Sequence, residues 1–67
     1  MKKIINILFC PQDAADTHEA IREAKAHIDA GEIVALEPEV NLISIECLTL
    51  LTSAGFKFSS ISKRFIK

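Results

Sequence analysis

The sequence predicts an α/β (α+β) fold: a small domain with a three-stranded sheet and two helices in the order β-α-β-α-β. A β-branched and aromatic run opens the chain and stops at Pro11. A long stretch of helix formers follows and stops at Gly31, and apolar segments then recur on either side of Gly55. Sixty-seven residues suffice for one domain, spanning 1–67. At 49% hydrophobic, the composition is too apolar for a disordered chain. A domain this short buries only about 60% of the surface its unfolded chain exposes, so a partner or a second copy is a natural source of added stability.

Lys3–Cys10 reads as the first strand. Its apolar residues fall on both parities with Asn6 the exception, which predicts a central strand covered on both faces. Asp13 and Asp16 can each accept backbone N–H groups at a helix start, and Asp16 with Glu19 has capping-box spacing. The helix should run to Ala30 and end at Gly31 in a left-handed cap. Ala14, Ile21, Ala24 and Ile28 form its thin apolar stripe, while Glu23–His27 and Lys25–Asp29 stand at (i, i+4) spacing on the charged side.

Glu32–Leu36 reads as a short strand punctuated by Glu37-Pro38-Glu39. Residues 40–54 fit both periods. Ile43, Ile45 and Cys47 alternate as in a strand, yet Val40, Ile43, Cys47, Leu50, Leu51 and Ala54 share one helical face. Pro38 suits a first helical turn and Gly55 a C-cap, which favours the helix; the alternative order is β-α-β-β-β. Phe56–Ile61 is the last strand, and its parity breaks, with Phe56 and Phe58 even but Ile61 and Phe65 odd. The break predicts either a bulge near Ser59-Ser60 or a separate basic tail over 62–67.

Charge is divided along the chain. All nine acidic residues lie between Asp13 and Glu46, where only Arg22 and Lys25 oppose them, whereas residues 47–67 carry four basic residues and no acid. Such a division governs how partners approach, not which fold forms.

Several activities lack their residues. His18 and His27 fall on opposite faces of the first helix, so no metal site is expected, and no cofactor motif exists with only Gly31 and Gly55 in the chain. The serines have no base at recognisable spacing, and Glu37/Glu39 read as solvated turn residues. Cys10 is the one candidate for chemistry, since a strand running into a helix start can lower a thiol pKa. This junction resembles the first strand and helix of thioredoxin-like proteins, but Asp13 stands where their second cysteine belongs. Cys10 and Cys47 are expected to be reduced. The amino-terminal apolar run is too short and too soon interrupted for a secretory signal, which makes the cytoplasm the expected compartment.

What remains is binding. The expected function is a non-catalytic protein-interaction or regulatory module, not an enzyme, engaging a protein partner or a second copy as a homodimer, with no membrane contact. Its candidate contacts are Glu19, Arg22 and Glu23 on the first helix and Lys63, Arg64 and Phe65 near the end, with Leu42 and Ile45 straying from the second helix's apolar face. The alternative is a nucleic-acid-binding accessory protein whose basic and aromatic terminal residues neutralise phosphates and stack on bases. A thiol-dependent activity at Cys10 is the third reading.

Overall fold

Asp13 turns the first apolar run into a helix. Its carboxylate accepts the Ala15 and Asp16 backbone N–H groups at 3.0 and 3.4 Å, and the next residues are helical. Asp16 reaches back past the cap and accepts the Cys10 N–H at 2.6 Å, tying strand end to helix start. In the computed structural model, which describes residues 3–67, the elements are β1 (Ile4–Phe9), α1 (Ala14–Asp29), β2 (Ile33–Pro38), α2 (Ile45–Ser53), β3 (Lys57–Ser59) and β4 (Arg64–Ile66). Met1 and Lys2, part of the basic opening segment, lie outside the described residues.

Both helices stop on glycine. Gly31 (φ 89°) and Gly55 (φ 92°) adopt the left-handed conformation, each followed by the paired bonds of a Schellman cap. Glu32 N–H donates to the His27 carbonyl and Gly31 N–H to Ile28; Phe56 and Gly55 repeat the pattern on Leu51 and Thr52.

The molecule is a small α+β domain with two helices and a four-stranded sheet, ordered β1-β2-β4-β3. β1 and β2 are parallel; β4 is antiparallel to both β2 and β3, so β3 runs parallel to β2 with β4 inserted between them. Ile5, Ile7 and Phe9 share one sheet face with Val34, Leu36 and Phe65. α1 packs Ala20, Ile21 and Ala24 into this face, and α2 adds Leu51 to the same core. Phe65 stands between Phe9 and Phe58, with ring centroids 6.3 and 5.1 Å away. The alanines let α1 lie close to the sheet, as edge-on aromatic rings fill the volume beneath.

Four expectations are corrected. The sheet has four strands, not three, because the parity break after Phe58 is neither bulge nor tail but a hairpin turn. Residues 60–63 reverse the chain, Lys63 N–H donating to the Ser59 carbonyl at 2.8 Å, and Phe58 then pairs with Phe65. The segment expected as a basic tail over 62–67 therefore contains β4, the strand between β2 and β3. β1 is not central but an edge strand. Finally, α2 begins at Ile45, where the Ser44 hydroxyl accepts the Cys47 N–H at 3.1 Å; Pro38 ends β2 instead of opening a helix. The alternative with a strand in place of α2 does not form.

Candidate interaction surface

With both helices on one side of the sheet, the other side is bare among the described residues, and strand alternation decides what it displays. From β1 come Ile4, Asn6 and Leu8; their register partners on β2 are Ile33, Ala35 and Glu37. β4 contributes Arg64 and Ile66, and β3 contributes Lys57 and Ser59. Ile4 and Leu8 are 59% and 57% exposed, and Ile33 and Ile66 are also exposed. Ala35 is buried because Asn6 and Ile66 flank it in register.

Polar groups cross the middle of this face. Arg64 Nη1 donates to Asn6 Oδ1 at 3.3 Å, and Asn6 Nδ2 donates to Glu37 Oε1 at 3.3 Å, so one amide bridges a cation and a carboxylate from different strands. At these lengths, in solvent, each bond contributes little to stability. The face is thus a row of aliphatic groups around a polar centre whose donors and acceptors are only partly used.

A second apolar region surrounds the start of α2. Leu42 and Ile45 are exposed, as are Val40 and Leu48 on either side. Next to it, Pro38, Val40, Ile43 and Phe58 line an open depression of about 320 Å³ whose polar rim is Glu37, Asn41, Ser62 and Lys63. Its lining carries neither thiol nor imidazole.

The expected contact residues do not assemble into one site. Glu19, Arg22 and Glu23 are exposed on the outer side of α1, away from the sheet. Arg64 lies on the bare face at the opposite side of the molecule. Lys63 sits in the β3–β4 turn, at the rim of the depression. Phe65 is 1% exposed, a core ring with no surface left for a partner or a nucleic-acid base. Cys10 is half-buried at the end of β1, and both cysteines are free. Cys47 is buried with its sulfur 3.2 Å from the Thr17 hydroxyl, which also lies 2.9 Å from the Asp13 carbonyl. His27 pairs with Glu32 at 2.8 Å, not with Glu23, and among the described residues no cluster of His, Cys, Asp or Glu could hold a metal ion. No helix among the described residues is long and apolar enough to cross a membrane.

Ile4, Leu8, Ile33 and Ile66 are the surface residues that sequence reasoning missed. One signal pointed to them: Asn6, the only polar residue of β1, marks its parity as the solvent side. Compared with known proteins, the chain matches no family model, no curated protein and no solved structure.

Proposed function

We propose that this chain is a non-catalytic protein-contact module whose working surface is the bare face of its sheet. The observation that carries the reading is the exposure of Ile4, Leu8, Ile33 and Ile66 together on one helix-free face, around the Arg64–Asn6–Glu37 bridge. Scattered exposed aliphatics are ordinary on any surface, but a cluster with a polar centre has the anatomy of an interface. Lys57 and Arg64 bias the face toward a partner carrying acidic groups, while Glu19, Arg22 and Glu23 on the far side of α1 act on encounter and orientation.

The placement of aromatic rings favours protein over nucleic acid. Phe65 is buried and Phe58, though 48% exposed, lies on the core side of the sheet, so neither ring shares the bare face with Arg64 as a platform for a stacked base. The depression beside Lys63 offers a carboxylate, an amide, a hydroxyl and an ammonium, with neither a thiol nor an imidazole among them.

The test is quantitative capture of proteins from nuclease-treated native-host lysate by tagged wild type and by the Ile33→Glu/Ile66→Glu variant. Both residues are exposed, so the variant keeps its fold and loses the targets that wild type retains. Targets retained equally by both forms would overturn the bare face as the contact surface. Charge reversal at Glu19 and Glu23 should slow association without abolishing capture.

A further inference from the structure

The two edges of the sheet differ in a way that bears on association. β3 is three residues long and begins with Lys57, a short and charged edge of the kind that resists pairing. β1 is six residues long, uncharged, and apolar on both faces. Nothing in its sequence discourages another strand from adding to it. The Phe9 carbonyl accepts the Glu39 N–H on the β2 side, so by strand alternation Ile5 and Ile7 also bond toward β2. The N–H and C=O groups of Ile4, Asn6 and Leu8 therefore point outward, and their side chains lie on the bare face.

That edge is symmetric about one residue. Ile4-Ile5-Asn6-Ile7-Leu8 reads aliphatic, aliphatic, Asn, aliphatic, aliphatic in either direction. We propose that the occupant of this edge is a second copy of the chain, its β1 pairing antiparallel with the first across a two-fold axis through Asn6. This register sets Asn6 against Asn6, Ile4 against Leu8 and Leu8 against Ile4 on the bare face, and Ile5 against Ile7 on the core side. From Ile4 to Leu8 like meets like, while Phe9 falls opposite Lys3, and every contact is made twice, i to j and j to i, as in any isologous interface. The outward-pointing residues become the hydrogen-bonded pairs, so the register uses every free backbone group of the edge. Asn6 keeps unused donor and acceptor capacity beside its bonds to Arg64 and Glu37, enough to bond its own symmetry mate.

Other registers fail on the same pattern. A shift by two residues sets Asn6 against an aliphatic side chain and pushes one strand's end past its partner. An odd register turns the bare face of one copy to the helix side of the other. A two-fold perpendicular to the sheet keeps both helix layers on one side, giving an eight-stranded sheet whose two bare faces are continuous. The pairing rests on the contact-surface reading only in sharing the bare side of the molecule.

The experiment is sedimentation of the full chain across a concentration series, with wild type, Leu8→Lys and Ile66→Lys compared. Leu8 and Ile66 are both exposed, so neither change should unfold the protein, which circular dichroism checks. Wild type should dimerise, and Ile66→Lys, two strands in from the edge, should dimerise like it. Leu8→Lys should weaken the dimer by about a hundredfold, a tenfold factor for each of the two symmetry-related leucines lost. In a mixed sample of labelled and unlabelled chains, the register predicts an intermolecular Hα–Hα contact between Ile5 and Ile7, the closely spaced non-hydrogen-bonded pair. A wild type that stays monomeric, a dimer indifferent to Leu8→Lys, or intermolecular contacts in another register would each overturn the proposal. A monomer that still loses its targets on Ile33→Glu/Ile66→Glu sinks the dimer and spares the contact-surface reading. A dimer whose targets ignore that change does the reverse.

Discussion

Lys63 occupies the left-handed region at φ 59°, where the β-carbon of any L-residue crowds its own following carbonyl. The position closes the β3–β4 turn, where its N–H donates to the Ser59 carbonyl. Lys63→Gly should therefore raise unfolding free energy by about 1 kcal/mol, read from the midpoint of urea denaturation at unchanged slope. An unchanged midpoint would mean that the turn is not held in this conformation. The same residue explains why the hairpin was not legible. Left-handed turn positions are recognised through Gly, Asn or Asp, and Ser60-Ile61-Ser62-Lys63 supplies none of them. Thr17 was missed for a related reason. It is fully buried, and its hydroxyl is satisfied by the Asp13 carbonyl one turn back, so a polar residue takes a core position that residue type alone would not assign.

α1 and the close of α2 were the most legible elements, because their signals are local. Asp13, Gly31 and Gly55 each act within a few residues of themselves, and the caps they form are those expected of Asp and Gly. Gly31→Ala tests the C-cap in isolation: nothing lies within 4 Å of a β-carbon built there, so only the backbone conformation is strained. The substitution should cost about 1 kcal/mol in denaturant titration with no change in helix content. A much larger loss would reveal packing at the turn. The N-terminal boundary of α2 was less legible, since Pro38 and Ser44 both carry helix-start character. β2 takes Pro38 as its last residue, beside Phe9, where the missing N–H is not needed within the sheet.

Across the whole molecule, β4 carries more than its three residues suggest. It joins β3 to β2, and Phe65 links Phe9 to Phe58 in the core. A chain ending at Lys63 should lose cooperative thermal unfolding altogether, since removing a buried Phe alone costs about 3–5 kcal/mol against a total of about 5–15 for a native domain. If that truncated chain melted like the full one, residues 64–67 would be a dispensable tail after all. Readable in the residues alone are that the chain folds, where α1 starts and stops, and that apolar strands flank both helices. Those outcomes follow from composition, capping and periodicity, which act over a few residues. The edge position of β1, the entry of β4 between β2 and β3, and a sheet face left bare among the described residues come instead from long-range pairing. A strand's alternation looks the same whether its neighbour is another strand or water. Neighbours are chosen by pairing between distant residues, such as Leu36 with Phe65, whose energies no local stretch of sequence contains.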